Sequence, residues 1–284
     1  NLTDHVANDI AFAWSHDGEF IFFTSDRDAE DGNHDLYRMR VDGTEILNLT
    51  NTPTTREMNL IYLPTGDIQY TINRVDEFNR RTAEAYVVDP DTAESREIPT
   101  PTGITSHSGD ARIVVDGDVY QLIDSETDEI ELVFSQFDNI GRTSPTWSPD
   151  DEYIAFIDTV STSQVVGRGL YLVDRNDTTR QTLYEEDNHT VIEIMWAPFG
   201  NQIAFTSRND TTLLMHLFVV DLQTHMIRQI SQPTTHARRP TWSPTSLFIT
   251  YLCDGLICLF DTQTQTTEQI TDNQTDTAPI WRPL

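Results

Sequence analysis

The sequence predicts an all-β protein, specifically a β-propeller of six four-stranded blades with seven blades as the alternative. Two observations support this fold class. A short motif recurs along the whole chain, and no segment of useful length shows the 3.6-residue periodicity of an amphipathic helix. With 284 residues, 37% of them hydrophobic, the chain is long enough to bury a substantial core.

The recurring motif joins a tryptophan to a polar turn and then to a β-branched and aromatic strand. Its clear copies lie at 13–18, 146–151, 195–200 and 241–246, with weaker copies at 62–67 and 105–110. The matching positions 14, 62, 105, 147, 196 and 242 are separated by 48, 43, 42, 49 and 46 residues. Units of about 40–50 residues with four short strands are typical of propeller blades.

Residue types within one repeat predict a role for each strand. The tryptophan ends the innermost strand, where its ring supplies apolar area between neighbouring blades. Pro, Asp and Gly residues then form the tight turn into the second strand. The third strand ends near an acidic residue, as at Asp89, Asp174 and Asp221, and a polar turn leads into the fourth. Because one sheet cannot bury both faces alone, we expect the blades to stack face to face.

These repeats predict one propeller domain over residues 1–284. The predicted blades are 1–50, 51–100, 101–137, 138–186, 187–232 and 233–275, followed by a closing strand at 276–284. The closing strand contains Trp281. Counting it, seven segments match the first strand of the repeat, but only six match the second. Residues 1–3 match 48–50, the end of a fourth strand. Three interpretations are open: a latch on a six-bladed ring, a seventh blade completed by an upstream stretch, or self-assembly through terminal strands.

The charge balance restricts the partners that we expect. Asp and Glu total 46 against 18 basic residues, which gives a formal net charge of −28, and every basic residue is arginine. A surface this negative repels phosphate backbones and anionic lipid, so we predict neither nucleic-acid binding nor membrane insertion. It favours a protein partner with a basic or cation-bridged surface. A compositional bias of the source lineage is the alternative reason for the absence of lysine.

One acidic loop, at 26–35, is a candidate metal site. Its carboxylates could supply the oxygen ligands that Ca²⁺ prefers, and Ca²⁺ is the one cofactor that the sequence suggests. The candidate ligands are Asp26, Asp28, Glu30 and Asp35. A solvated acidic turn is the alternative, since Asp31 stands where a calcium-binding hand has glycine.

The two cysteines, Cys253 and Cys258, flank an Asp254-Gly255 turn. A two-residue hairpin turn would place Cys253 opposite Leu256 and Cys258 opposite Tyr251, so the two thiols share one face diagonally. A disulfide is compatible with this geometry without being required by it. Two buried apolar thiols are the alternative.

Six Asn-x-Thr sequons predict N-glycosylation, provided that the protein is exported by an organism with the necessary machinery. They begin at Asn1, Asn48, Asn176, Asn188, Asn209 and Asn273. Most of them fall in turns between strands, where an attached glycan would be accommodated.

The sequence contains no recognisable catalytic motif. It has neither a Gly-x-Ser-x-Gly elbow nor a glycine-rich phosphate loop, and no two of its histidines are spaced as a close metal-ligand pair. We therefore assign no catalytic or cofactor-binding residue. Glycoside hydrolysis uses a pair of carboxylates, and 46 acidic residues contain such pairs by chance. The sequence therefore leaves this activity open.

The repeat resembles that of the TolB-like propeller family, a WD-repeat-like group. The resemblance covers essentially the whole chain and rests on a Trp-Ser-Pro-Asp turn, an Ile-Ala-Phe strand and a Leu-Tyr-x-x-Asp strand, as at 147–150, 154–156 and 170–174. It implies a propeller, often six-bladed, exposed in the periplasm or outside the cell. Similar propellers include a pectic-fragment lyase with a manganese site of several histidines, which cannot be matched here residue by residue, and the gating domains of peptidases.

The leading functional hypothesis is a non-enzymatic extracellular or periplasmic module of the cell envelope, which binds proteins or serves as an assembly scaffold. Loop 26–35 and the Arg238-Arg239 pair are its candidate binding patches. Three alternatives are open. The chain could be a carbohydrate lyase or hydrolase, the gating propeller of a peptidase whose catalytic domain is absent, or a structural subunit of a surface polymer assembled by strand exchange.

Overall fold

The computed structural model describes residues 3, 5–15, 17–28, 33–52, 55–63, 66–75, 81–98, 103–116, 119–136, 145–162, 165–177, 179–199, 201–272 and 281–282. Throughout these ranges the regular structure is β-strand, so the prediction of an all-β protein is confirmed. A search of the same residues for a helix capable of crossing a membrane finds none.

The chain divides into two compact units, and the smaller one comprises Asn1–Pro101 and Arg282–Leu284. It contains two antiparallel four-stranded sheets with the strands in chain order. The first sheet contains β1 (Asp9–Trp14), β2 (Phe20–Ser25), β3 (Asp35–Arg40) and β4 (Leu47–Asn48). The second contains β5 (Glu57–Tyr62), β6 (Ile68–Val75), β7 (Arg81–Val88) and β8 (Ser95–Ile98).

The larger unit, Thr102–Trp281, begins with one four-stranded sheet and continues with an eight-stranded one. The first contains β9 (Ile104–Thr105), β10 (Ala111–Asp116), β11 (Val119–Asp124) and β12 (Ile130–Gln136). The eight strands are β13 (Thr146–Trp147), β14 (Tyr153–Thr162), β15 (Val165–Asp174), β16 (Arg180–Tyr184), β17 (His189–Trp196), β18 (Gln202–Asn209), β19 (Met215–Asp221) and β20 (Met226–Gln229). They form two antiparallel groups of four, and among the described residues a parallel bridge between Arg168 and Thr190 joins the two groups.

The last sheet of the larger unit contains β21 (Ala237–Trp242), β22 (Phe248–Cys253), β23 (Leu256–Asp261) and β24 (Thr266–Gln269). The described strands therefore form six groups of four. Each group lies within one of the six blade ranges that the repeat predicts. The assignment of the whole chain to a single domain stays a prediction.

The core of the larger unit lies between successive groups of strands. Ile113 and Leu122 of one group pack in a buried cluster with Phe156 and Tyr171 of the next. A second cluster links β14 and β15 to β18 and β19 in the same way. A third links β18 and β19 to the sheet that contains β21–β23. β14 reads as a continuous apolar run from Ile154 to Ile157 because both of its faces are covered. Ile154 and Phe156 belong to one buried cluster, and Ala155 and Ile157 belong to the next.

Four tryptophans of the larger unit each bond to the inner strand that precedes them in the repeat series. The indole Nε1 of Trp147, 96% buried, donates a hydrogen bond of 3.0 Å to the Ile104 carbonyl on the previous inner strand. The same bond, at 3.1–3.2 Å, runs from Trp196 to Thr146, from Trp242 to Met195 and from Trp281 to Thr241. The ring thus supplies buried apolar area between neighbouring sheets, as predicted, and also a polar contact that the sequence pattern did not indicate.

The acidic residues at the ends of third strands close a repeated turn. Asp89 Oδ1 accepts hydrogen bonds of 2.7 and 3.1 Å from the backbone N–H groups of Asp91 and Thr92. Equivalent turns occur at Asp124, Asp221 and Asp261. In all four, hydrogen bonds from the turn backbone lower the pKa of the aspartate. These four aspartates therefore carry part of the chain's negative charge and also stabilise the turns between the third and fourth strands.

Candidate functional site

Three of the four predicted calcium ligands are described, and protein donors bind the carboxylates of all three. The donors are Asn8 N–H for Asp26, the Tyr37 hydroxyl for Asp28, and the Asn48 amide and Thr52 N–H for Asp35, all at 2.7–2.8 Å. Glu30 lies outside the described residues. Within the described part of the chain, no group of three or more His, Cys, Asp or Glu side chains could hold a metal ion. Calcium binding stays a prediction.

Asp35 belongs to a buried carboxylate pair that the sequence did not reveal. Thr52 Oγ1 lies 2.6 Å from Glu57 Oε1 and 3.2 Å from Asp35 Oδ1. Glu57 is 1% exposed and Asp35 is 6% exposed. Burial raises the pKa of Glu57, despite hydrogen bonds from Thr52 and Thr55 that favour its charged form.

We expect Glu57→Gln to stabilise the protein at neutral pH. Because the folded-state pKa of Glu57 is raised, the stability linked to its protonation is fully present below the unfolded pKa of about 4.3 and is lost as the pH rises through the folded value. The variant should therefore gain on the order of 1 kcal/mol in unfolding free energy at pH 7 and little at pH 4. Urea denaturation between these pH values measures the gain. The exposed Glu94→Gln is the control, and a gain independent of pH would contradict the prediction.

The hairpin of β22 and β23 brings the cysteines together. Cys253 pairs with Leu256 and Cys258 with Tyr251, as the predicted two-residue turn requires. The sulfur atoms are bonded at 1.96 Å, with the two Cα atoms 5.9 Å apart, and both side chains are buried.

This bond leads to a direct prediction about the thiols. Alkylation of the unfolded protein should add no label without reductant and two labels after reduction, as read by intact mass. Because the closed loop is short, replacing both cysteines by alanine should cost about 2 kcal/mol of unfolding free energy. Two labels on the unfolded protein without reductant would show that the thiols are free.

Four of the six sequons are described, and two of them are exposed. Asn176 and Asn188 face solvent. Asn48 is half-buried, and its Nδ2 donates hydrogen bonds to Asp35 and to the Tyr37 hydroxyl. Asn209 is half-buried as well, while Asn1 and Asn273 lie outside the described residues. Glycosylation stays a prediction, with the two exposed positions the most accessible.

The Arg238-Arg239 pair lies at a β-bulge on the inner strand β21. Arg239 has a φ of 53°, a left-handed conformation, and its backbone N–H donates to Glu193 Oε2 at 3.0 Å. The bulge therefore turns one arginine outward while a carboxylate of the neighbouring inner strand holds its backbone. Arg239 is exposed and Arg238 is half-buried.

Two adjoining cavities in the larger unit form a groove along the turns that follow the inner strands. The first encloses about 580 Å³ and the second about 320 Å³, and Asp150 lines both. We name this surface the turn groove. Its acidic half is lined by Glu131, Asp150, Asp151, Glu152 and Arg175. Its apolar half is lined by Pro149, Tyr153, Trp196, Pro198 and Phe199.

The turn between β13 and β14 forms the centre of the groove and is held by its own side chains. Ser148 Oγ accepts a hydrogen bond from Tyr153 N–H at 2.9 Å and donates to Asp150 Oδ1 at 2.5 Å. Asp150 Oδ1 also accepts from Glu152 N–H at 3.2 Å. The Ser-Pro-Asp motif of the repeat therefore presents Asp150 and Glu152 to solvent on a rigid turn.

Asp151 connects this turn to the preceding one. Its φ is 59°, which is in the left-handed region. The equivalent residue in the turn between β1 and β2 is Gly18, whose φ is 67°. The Asp151 carboxylate accepts four hydrogen bonds of 2.8–2.9 Å, two from His107 and two from Ser108. Burial opposes ionisation of Asp151, but these hydrogen bonds lower its pKa. They offset the strain of a left-handed non-glycine residue.

Ser246 occupies the equivalent position in the turn between β21 and β22, also with a φ of 59°. Its Oγ accepts a hydrogen bond of 2.8 Å from Phe199 N–H. Phe199 is thereby held by its backbone while its side chain remains 69% exposed. Both walls of the turn groove are thus fixed by contacts with a neighbouring turn.

The one arginine that lines the groove is already neutralised. Arg175 binds both oxygens of Asp110, at 3.2 and 3.0 Å, and its guanidinium lies 5.8 Å from the centre of the Trp147 ring. Hydrogen bonds from Ser108 and then from Arg175 hold the pKa of Asp110 far below its usual range. No described cationic side chain forms an ion pair with Asp150 or Glu152, so the acidic half keeps a net negative charge.

A serine, a histidine and an aspartate meet at this site, but not as a nucleophile and its base. Ser108 Oγ lies 2.6 Å from Asp110 Oδ1 and 2.9 Å from Asp151 Oδ2, and its single hydrogen is shared between these two carboxylates. His107 Nδ1 faces Asp151 as well, at 2.8 Å. An activated serine requires its hydroxyl to hydrogen-bond the base directly, and this arrangement instead ties the turns together.

Comparison with known proteins shows the fold. No family model matches the sequence, and no curated protein matches it. Among solved structures, oligogalacturonate lyase in complex with manganese is similar, with a TM-score of 0.65 and 16% identity over 93% of this chain and 76% of that one. The β-propeller domain of the trilobed protease from Pyrococcus furiosus has a TM-score of 0.62 and 13% identity, over 94% of this chain and 86% of that one. TolB from Acinetobacter baumannii has a TM-score of 0.55 and 14% identity, over 93% of this chain and 63% of that one.

Identities this low carry the fold and nothing further. The chain has a β-propeller fold of the kind seen in TolB, and that prediction is confirmed. The three similar proteins bear different names, those of a lyase, a protease domain and TolB, so the choice among the functional hypotheses depends on this chain's own residues.

Proposed function

We propose that this propeller is a non-enzymatic scaffold that binds proteins in the periplasm, the cell envelope or the extracellular space. The turn groove is the observation that carries the proposal. It combines exposed apolar side chains with two carboxylates, those of Asp150 and Glu152, that form no ion pair with a described cationic side chain, on turns held by neighbouring turns. Rigid elements that present such a mixed surface are suited to protein recognition. The location rests on the TolB-like resemblance alone.

The same proposal includes six blades, one for each group of four strands. Trp281 then follows the sixth group as the tryptophan of the next inner strand would. It donates to Thr241 as Trp242 does to Met195, and its ring stacks on Phe248 with centroids 6.2 Å apart. Counting blades in averaged electron-microscope projections distinguishes a six-bladed ring from a seven-bladed one.

Photo-crosslinking in the native host tests the scaffold function. A benzophenone amino acid placed at Asn201, in the apolar half of the groove, should crosslink one predominant protein partner. The same probe at Leu213, which is 64% exposed outside the groove, is the matched control. Crosslinking at Leu213 alone, or at neither position, would contradict binding through the groove.

The enzyme hypotheses are tested on the purified protein. We expect no unsaturated product from oligogalacturonate with or without Mn²⁺ or Ca²⁺, and no cleavage of short peptide substrates. Product formation that depends on an added metal would replace the scaffold by an enzyme. Large ordered assemblies in native extracts would instead support the structural subunit of a polymer.

A further inference from the structure

We infer that the turn groove takes a short linear segment of a partner protein in which one or two basic side chains lie next to an aromatic or large aliphatic one. This inference rests on the proposed protein-binding function and specifies the chemistry of what is bound. A cation alone would leave the apolar half uncovered, and a purely apolar segment would leave the carboxylates without a counter-charge.

The apolar half supplies an anchor site. Phe199 is 69% exposed, although phenylalanine is ordinarily buried, and it lines the same cavity as Trp196 and Tyr153. Because Ser246 holds the Phe199 backbone, the ring is presented with little freedom to fold away. Aromatic side chains in partly formed pockets are where binding energy concentrates in protein interfaces, so an aromatic or aliphatic side chain is the expected occupant.

The acidic half supplies the charge. Asp150 and Glu152 are exposed and have no described cationic partner, whereas the charge of Arg175 is taken up by Asp110. A bound Arg or Lys side chain would gain charge-assisted hydrogen bonds there. The surrounding net charge of −28 further attracts a basic segment during encounter.

The junction of the two halves constrains the spacing of the residues in the segment. Asp150 lines both cavities, so the basic and the apolar side chains must lie next to each other along the partner. Both volumes fall within the roughly 300–1,000 Å³ that is usual for ligand sites. Since the walls are fixed before binding, little conformational freedom is lost on the side of the propeller.

Titration calorimetry with the peptide acetyl-Gly-Arg-Arg-Phe-Leu-Gly-amide tests the inference on the full chain. The peptide should bind at low salt and weaken as salt is added. Replacing its two arginines by glutamate, or its Phe-Leu by Gly-Gly, should weaken binding at least about tenfold.

Matched variants localise the binding. Asp150→Asn, and separately Phe199→Ser, should each weaken it about tenfold. The control Asp17→Asn removes an equivalent charge, because Asp17 accepts from Ser15 Oγ and Glu19 N–H as Asp150 does from Ser148 and Glu152. Asp17→Asn should leave the affinity unchanged.

Two results would overturn the inference. An equal loss in Asp17→Asn and Asp150→Asn would mean that the peptide responds to overall charge rather than to the groove. Failure of the unmodified peptide to bind at low salt would exclude the segment chemistry. Neither result affects crosslinking of a native partner at Asn201, so failure of this inference remains distinguishable from failure of the scaffold function.

Discussion

Replacing Arg180 by methionine is expected to lower the unfolding free energy by about 3 kcal/mol, because it removes the cation bound to a buried carboxylate. Arg180 Nη1 lies 2.6 Å from Asp158 Oδ2, and the Asp158 side chain is only 2% exposed. The guanidinium also lies 3.4 Å from the centre of the Tyr171 ring, an arrangement that stabilises the cation further. Urea denaturation at neutral pH measures the loss.

The repeat itself provides the compensating variant. Asp158 lies on β14, and the equivalent residue of the second strand is serine in two other repeats: Ser25 in β2 and Ser207 in β18. Asp158→Ser should therefore recover most of the stability that Arg180→Met loses, because no buried charge remains. A double variant no more stable than Arg180→Met alone would show that the arginine acts through packing on Tyr171 rather than through Asp158.

Asp151→Ala is expected to destabilise the protein by about 3 kcal/mol for two separate reasons. It leaves the N–H groups of His107 and Ser108 without their acceptor, and it forces alanine into a left-handed conformation. Asp151→Gly removes the same hydrogen bonds without strain, so its loss should be about 1 kcal/mol smaller. Chemical denaturation of the two variants separates the terms.

The matched control for this pair is Ser246→Gly, at the same φ but with a single interturn hydrogen bond. It should change the unfolding free energy by less than about 1 kcal/mol, because relief of the left-handed strain offsets the lost hydrogen bond. The pH dependence has a definite sign. Because the pKa of Asp151 is lowered in the fold, its stabilising contribution is present above the unfolded pKa of about 3.9 and is lost as the pH falls below it. A difference between wild type and Asp151→Gly that grows on acidification would contradict this account.

Local chemistry made much of the fold predictable. The turn residues of the repeat, such as Gly18, lie near their own hydrogen-bond partners in the chain, so their conformation follows from a few neighbouring residues. The same holds for the Asp254-Gly255 turn, which determines the register of Cys253 and Cys258. The interpretation of the tryptophans as contacts between neighbouring sheets also needed only the spacing of the repeat.

The acidic loop shows what such reasoning leaves open. Asp26, Asp28 and Asp35 are spaced as cation ligands would be, yet each accepts hydrogen bonds from protein groups. Alternating carboxylates have the same appearance in a sequence whether they bind a metal or cap neighbouring strands. Only the position of donors such as Tyr37 and Thr52 distinguishes the two uses.

By itself, the sequence determined the strand period, the turns and the all-β class, because these depend on contacts within a single repeat. Tertiary structure alone decided which side chains meet. Asp151 receives hydrogen bonds from His107, and Phe199 is held by Ser246, across separations of 44 and 47 residues. Such pairs exist only after neighbouring sheets have stacked, so the turn groove and its charge arise from packing between repeats.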